Sequence, residues 1–146
     1  MRKSKTIKVF FNASVVLAGL KSPFGGSAKL LSWCKNKKIQ GLISEVILDE
    51  IVRNTPKIGL NREAVKDLGS LFDIKIAPQK EGVEFFRGIV TDFGDAHVLA
   101  SCSEENAEFL VTLDKKHLLV LKNKVKIFKI VSPGELIEMY HQQFKK

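Results

Sequence analysis

The amino-acid sequence predicts an α/β fold, with a doubly wound, mostly parallel sheet of roughly five strands and helices on its faces. Short runs rich in Val, Ile and Phe lack polar alternation, which is typical of parallel strands buried on both sides. These runs alternate with longer segments of helical periodicity, as in βαβ units with right-handed crossovers. The length of 146 residues fits one domain, predicted to span 1–146.

The strands are predicted from β-branched and aromatic residues bounded by turn signals. They are expected at residues 7–11, 39–43, 74–76, 109–113 and 125–130. The fifth strand alternates less cleanly than the others. The first and fourth end directly before a polar residue, Asn12 and Asp114 respectively.

The first helices are predicted from capping residues that precede apolar stripes. Ser27 is expected to cap a helix running through residues 30–34, and Ser44 to cap a helix over residues 45–53. Pro56 ends the second of these, because proline disfavours helical geometry in the preceding residue. A further helix is predicted over residues 62–72.

The second half of the chain contains two predicted helices and one segment with a weak signal. Residues 77–90 are predicted as a loop with a single helical turn around 83–86, and residues 95–103 as a helix. Ser132, Pro133 and Glu135 have the spacing of a capping box with proline at the first helical position. The last helix is therefore expected to begin there and to continue through Tyr140.

Composition restricts the partners and the compartment. The formal net charge of +8 favours a polyanionic partner, since lysine-rich surfaces gain affinity by releasing counterions from phosphates, but it does not identify one. Cys34 and Cys102 lack the short paired spacing of a zinc site and are expected to be reduced thiols. No apolar stretch approaches the ~20 residues that span a bilayer, and no export signal is visible, so a cytoplasmic protein is expected.

Several polar side chains are predicted at the edge of the sheet where ligands bind, beyond the carboxyl ends of the strands. Asn12 and Asp114 follow strands directly. Asp92 and Asp95 lie at the start of a helix, where aspartates also serve as ordinary caps. Glu50 borders the buried stripe of its helix, so its carboxylate either pairs with a cation or reaches the rim of a cleft.

Taken in chain order, these segments resemble the PIN domain family. Residues 10–18 (FFNASVVLA) are similar to its opening strand, and residues 44–51 (SEVILDEI) to its second segment, which ends in a site glutamate. Residues 91–100 (TDFGDAHVLA) and 109–118 (FLVTLDKKHL) resemble its third and fourth segments. Residues 131–136 (VSPGEL) are similar to the last helix of the bacterial and archaeal branch described as toxins of toxin–antitoxin pairs.

The resemblance implies a PIN-like three-layer α/β/α fold and a metal-dependent endoribonuclease, the toxin of a toxin–antitoxin pair. Mg²⁺ or Mn²⁺ is the implied cofactor, and RNA, an antitoxin protein and a second copy of the chain are the implied partners. Carried over by position, the catalytic residues are Asn12, Glu50, Asp95 and Asp114. The implied metal ligands are Glu50, Asp95 and Asp114, with Asp92 and Asn12 as accessory ligands.

Asn12 departs from the family pattern, which has a metal-binding aspartate at this position. An amide offers one neutral oxygen and no charge, so metal binding is expected to be weaker. Three explanations remain open: an introduced inactivating change, a natural degenerate member, or an active variant that uses the amide oxygen.

Two functions follow from the sequence. The first is the metal-dependent ribonuclease; the alternative is a non-catalytic PIN-like module that binds RNA or protein, which Asn12 favours. Lys115 and Lys116 either meet RNA phosphates or form an ordinary solvated turn. An unrelated phosphoryl-transfer domain is disfavoured because no phosphate-binding glycine loop follows the first strand.

Overall fold

The structure, a computed structural model, describes residues 6–143 and contains a five-stranded sheet in the order β3-β2-β1-β4-β5. All neighbouring strands run parallel, which confirms the predicted α/β class. The strands are β1 Lys8–Phe11, β2 Gln40–Ser44, β3 Phe72–Lys75, β4 Phe109–Val111 and β5 Lys129–Val131.

Helices cover the sheet on both faces. They are α1 Ala13–Lys21, α2 Gly26–Lys35, α3 Glu45–Asn54, α4 Glu63–Lys66, α5 Leu68–Leu71, α6 Lys80–Arg87, α7 Phe93–Glu104 and α8 Pro133–Gln143. Single turns of 3-10 helix occur at Pro56–Ile58 and Leu119–Leu121.

The order of the strands explains how the helices form two layers. The chain steps from β1 through β2 to β3 in one direction, then crosses to β4 and β5 in the other. Right-handed crossovers therefore place α1 to α5 on one face and α6 with α7 on the opposite face. The contacts agree with this arrangement, because α1 packs on α2 and α3, α8 packs on α2, and α6 packs on α7.

The core lies on both sides of the central strands. Phe10, Phe11, Leu42, Ile43 and Leu110 are fully buried, as expected of a parallel sheet covered by helices. The side chains predicted as core on the helix through residues 30–34 are also buried.

Side-chain caps fix the start of two helices as predicted. Ser44 Oγ accepts a hydrogen bond of 3.1 Å from the backbone N–H of Ile47 at the start of α3. At the start of α8, Ser132 Oγ accepts from the Glu135 N–H (3.1 Å), and Glu135 Oε1 accepts from the Ser132 N–H (2.9 Å). This reciprocal pair is the predicted capping box.

Two predicted helices begin or break elsewhere. Gly25, not Ser27, is the N-cap residue of α2, and Ser27 lies buried in its first turn. The predicted helix over 62–72 is wrong as one element, because it divides into α4 and α5 at Asp67, and Phe72 belongs to β3. Residues 77–90 contain a full helix, α6, where a single turn was expected.

Two predicted strands are shorter than expected. β4 ends at Val111, two residues before the predicted end. The strand predicted over 125–130 is wrong in extent, because β5 comprises only Lys129–Val131. Val125 and Phe128 are buried, but they belong to the turns that follow Leu119–Leu121, where the Val125 N–H donates to the Leu121 carbonyl. Their burial therefore reflects turn packing.

Cys34 and Cys102 are free and buried, and burial raises the pKa of the Cys34 thiol to about 12. Within residues 6–143 no helix combines the length and the apolar character needed to cross a bilayer.

Candidate metal centre

The candidate site lies where the connections of the sheet change direction. β1 and β4 are neighbours, with Phe11 beside Val111, and their connections run to opposite faces of the sheet. Such a switch point leaves a crevice beyond the carboxyl ends of the two strands. Asn12 and Asp114 stand at this crevice, because each follows the end of one of these strands.

Thr112 holds the two strand ends together. Its hydroxyl oxygen accepts a hydrogen bond of 2.8 Å from Asn12 Nδ2 and one of 3.1 Å from the backbone N–H of Asp114. Thr112 is fully buried, and the next N–H, of Leu113, donates to Ser14 Oγ at 3.2 Å. Thr112 was not predicted as a site residue; the signal that marks it in the sequence is a hydroxyl between the end of a buried strand and an aspartate.

Asp114 caps the turn that follows it. Its Oδ1 accepts from the backbone N–H of His117 (2.9 Å), and its Oδ2 lies 3.3 Å from His117 Nδ1. The Asp114 side chain is 30% exposed, so the carboxylate is also open to the crevice. His117 was not predicted as a metal ligand, although its position three residues after Asp114 in a turn could have indicated the contact.

The first turn of α7 brings two more carboxylates. Asp92 is the N-cap of α7, and its Oδ1 accepts from the N–H groups of Gly94 (2.7 Å) and Asp95 (3.3 Å). Asp95 lies in the first turn and is half-buried. Asp92 thus serves as a helix cap, and its charge also acts on the nearby Asp95.

Electrostatic interactions connect these carboxylates with Glu50. Burial raises the pKa of Asp95, the charges of Asp92, Asp114 and Glu50 raise it further, and His117 opposes them. Burial also raises the pKa of Glu50, where Arg53 acts in the lowering direction and Asp92 in the raising direction. Glu50, Asp92, Asp95 and Asp114 therefore share one acidic neighbourhood, which we call the acidic cluster.

Sequence and structure comparisons identify the family. A family model described as PIN domain matches residues 8–116. The chain belongs to the PIN domain family. No curated protein matches the chain.

Two solved structures show the same PIN fold. PAE2754 from Pyrobaculum aerophilum aligns with a TM-score of 0.67 and 18% sequence identity, covering 94% of this chain and 97% of that one. VapBC2 from Rickettsia felis, solved bound to a DNA fragment from their promoter, aligns with a TM-score of 0.61 and 14% identity, covering 86% and 98%. At these identities the similarity concerns the fold alone.

The donor set of this PIN domain fits a divalent cation. Ligand atoms from Asp95, Asp114 and His117 lie within 4.8 Å of one another. Neither Glu50 nor Asp95 forms an ion pair with a lysine or arginine anywhere in residues 6–143. Half-buried carboxylates that lack a close ion pair are costly, and a divalent cation bound by their oxygens would offset that cost.

The lysines that follow Asp114 lie in an exposed turn. Lys115 and Lys116 begin this turn, which continues into Leu119–Leu121 without forming a regular α-helix. Between Asp114 and the end of Lys129 the chain carries six lysines and no acidic residue: Lys115, Lys116, Lys122, Lys124, Lys126 and Lys129. A strongly basic segment therefore leads away from the acidic cluster.

Proposed function

We propose that this PIN domain is a metal-dependent endoribonuclease that hydrolyses phosphodiester bonds in RNA. The acidic cluster at the switch point of the sheet carries the proposal. Glu50, Asp95 and Asp114 would hold Mg²⁺ or Mn²⁺, with the Asn12 amide oxygen and Asp92 as accessory ligands. When bound, such an ion can orient an attacking water and stabilise the leaving oxygen.

The remaining residues position this machinery. Thr112 fixes the Asn12 amide and the start of the Asp114 turn relative to each other through its hydroxyl oxygen. His117 holds the Asp114 carboxylate through its backbone N–H and imidazole. Lys115 and Lys116 are exposed beside Asp114, where their charges suit the phosphates that flank a scissile bond.

RNA suits this site because a single-stranded or looped backbone can enter an open crevice. The exposed Lys115 and Lys116 directly after Asp114 supply positive charge for phosphates that flank the cluster. Binding of RNA is therefore expected to weaken steeply as salt is raised.

The second candidate is a non-catalytic PIN-like module that binds RNA or protein. Asn12 favours it, since its amide brings no charge to the cluster and its Nδ2 is already engaged by Thr112. RNA binding that persists after chelation of metal would support this candidate, whereas strong thermal stabilisation by Mn²⁺ would support the nuclease.

The deciding experiment compares cleavage of a mixed RNA panel in Mn²⁺ by the natural chain, Asn12→Asp and Asp114→Asn. Asp67→Asn is the matched control, since Asp67 is an exposed aspartate between α4 and α5 and does not contribute to the raised pKa of Glu50 or of Asp95. We expect Asn12→Asp to cut fastest and Asp114→Asn to lose about 10²-fold or more. If neither Asn12→Asp nor the natural chain cuts any RNA, the enzymatic proposal fails.

An antitoxin protein and a second copy of the chain are the proposed protein partners. The resemblance to toxins of toxin–antitoxin pairs and the fold shared with VapBC2 support the first. Light scattering tests the second, because the chain has a mass of 16.3 kDa and a homodimer doubles it.

A further inference from the structure

A cleft lies between α6 and α7, and its lining includes Phe93, which directly follows Asp92 of the acidic cluster. Its volume is about 400 Å³, within the range of small-molecule sites. The lining residues include the aromatic Phe93, the cations Lys80 and Arg87, and His97. We propose that this cleft is a nucleobase subsite, which receives an unstacked base of the RNA whose backbone lies at the acidic cluster. The proposal deepens the proposed function and rests on it.

The position of Phe93 connects the cleft to the cluster. Phe93 is the first residue of α7, directly after Asp92 and two residues before Asp95. Phe93 and Asp95 are two residues apart in α7, so their side chains project from different sides of the helix. RNA that passes over the start of α7 would therefore place a phosphate at the cluster and the base of a neighbouring nucleotide on this ring.

The aromatic surface of the cleft is available to a ligand. Phe93 is 53% exposed although it is a large apolar residue at the start of a helix. The ring of His97 packs on it edge to face, with the centroids 4.7 Å apart, and this contact fixes the orientation of Phe93. A rigid, exposed ring of this kind is the usual platform for stacking of unpaired bases, and stacking is tolerant of base identity.

Arg87 adds a second planar group and positive charge. Its guanidinium carbon lies 5.4 Å from the centroid of the Phe93 ring, and its Nη1 lies 3.1 Å from Glu84 Oε2. The charged residues of the lining are Lys80, Arg87 and Glu84, so the formal net charge of the cleft is +1. This balance favours a ligand that carries phosphate, whereas a purely apolar ligand would gain nothing from it.

The test measures binding in Ca²⁺, a divalent cation that takes oxygen ligands, and a denaturing gel verifies that the probe stays intact. The probe is a fluorescently labelled seven-nucleotide oligoadenylate, and its partner is an oligomer of the same length with abasic riboses. We expect Phe93→Leu to weaken oligoadenylate binding roughly five- to twentyfold, the lower part of what loss of one base stack costs, and to leave abasic binding unchanged. Phe93→Trp should restore the affinity.

Phe85→Leu is the matched control, because Phe85 is 67% exposed on the neighbouring α6 and does not line the cleft. Both phenylalanines are on the surface, so neither substitution should unfold the protein, and equal Tm values would verify this. Equal loss of oligoadenylate and abasic binding in Phe93→Leu, equal loss in Phe85→Leu, or no binding by the natural chain would overturn the subsite.

The outcomes also separate this proposal from the nuclease. If Asn12→Asp cuts RNA and Phe93→Leu binds oligoadenylate as the natural chain does, the subsite fails and the nuclease remains. If the base-dependent loss is observed but no form of the protein cuts RNA, the subsite stands and the enzymatic proposal fails.

Discussion

The substitution Asn12→Asp, which places a carboxylate at residue 12, is the most direct test of the acidic cluster. Asn12 Nδ2 and the Asp114 backbone nitrogen both donate to Thr112 Oγ1, at 2.8 and 3.1 Å, so they lie within about 6 Å of each other. The Asp114 carboxylate is a few ångströms from its own backbone nitrogen, and for a representative separation of about 6 Å between carboxylates two unit charges interact by roughly 0.7 kcal/mol at the dielectric of water and 2.8 kcal/mol at an effective dielectric of 20. A new carboxylate at residue 12 is therefore expected to be repelled by the neighbouring carboxylates of the acidic cluster.

This interaction has opposite signs without and with metal. In EDTA, Asn12→Asp adds repulsion and should lower Tm. A divalent cation at a similar distance attracts the new charge twice as strongly as one carboxylate repels it, roughly 1.4 kcal/mol at the weak limit, which is a tenfold gain in affinity. At saturating Mn²⁺ a tenfold gain adds about 1.4 kcal/mol of stabilisation, or roughly 3–6 °C in Tm.

The assay is thermal unfolding of the natural chain and Asn12→Asp across a Mn²⁺ titration, with Ca²⁺ and EDTA for comparison. Asn123→Asp is the control, because Asn123 is exposed in a distant turn and the substitution adds the same charge. We expect the curves of the natural chain and Asn12→Asp to cross as Mn²⁺ rises, and the control to show no such crossing. If Asn12→Asp is as stable as the natural chain in EDTA and responds no more to Mn²⁺, the acidic-cluster reasoning is wrong.

Three further outcomes follow from described contacts. The raised pKa of Asp95 means that ionisation of this carboxyl lowers the stability of the folded protein. The loss is absent at low pH, and it grows as the pH rises from the ordinary pKa of 3.8 to the raised pKa of the folded state. Asp95→Asn should therefore raise Tm in EDTA at pH 7 and abolish the stabilisation by Mn²⁺, as calorimetry would detect. Thr112→Val leaves two partly buried donors without their acceptor and should cost about 1–3 kcal/mol in urea unfolding, together with weaker Mn²⁺ binding. Hydrogen bonds with Lys122 and with the cap of α8 lower the pKa of Glu135. Glu135→Ala should therefore reduce the free energy of unfolding by about 0.5–2 kcal/mol at pH 7, and by less as the pH falls through the lowered pKa. The control Glu138→Ala should reduce it little.

The sequence predicted best those elements whose ends are fixed by local chemistry. α3 begins at the predicted Ser44 cap and α8 at the predicted capping box, because a hydroxyl and a glutamate there satisfy backbone N–H groups that the helix leaves free. The predicted end of strand β1 at residue 11 agrees with the structure, because the apolar run stops at a polar side chain, and the predicted start differs by one residue. Local signals of this kind do not depend on the rest of the fold.

Elements fixed by tertiary packing were predicted less well. The N-cap of α1 is Asn12, a favoured residue type at that position, but its side chain makes no capping hydrogen bond and the first turn has no acidic residue, so the local signal for a start at Ala13 is weak. The buried Val125 and Phe128 looked like strand residues because burial in turns produces the same apolar pattern. For these segments the alternation of polar and apolar residues reflects the surrounding protein and not the backbone geometry.

The candidate site shows the same division. Glu50, Asp95 and Asp114 could be nominated from their positions at strand and helix ends and from the family resemblance. Thr112 and the contact of His117 with Asp114 could not, because both depend on the way β4 ends and the chain turns. Which carboxylates influence one another is a property of the assembled sheet edge, as the raised pKa of Asp95 reflects.

The hydroxyl of Thr112 has a wider consequence. A hydroxyl group can accept a hydrogen bond from an amide or donate one to a carboxylate. The Thr112 hydroxyl can therefore bond to either an asparagine or an aspartate at residue 12. The exchange alters no volume and demands no repacking. A change between amide and carboxylate at residue 12 can therefore alter the charge of the acidic cluster by one unit while the hydrogen bond to Thr112 and the packing around it are retained.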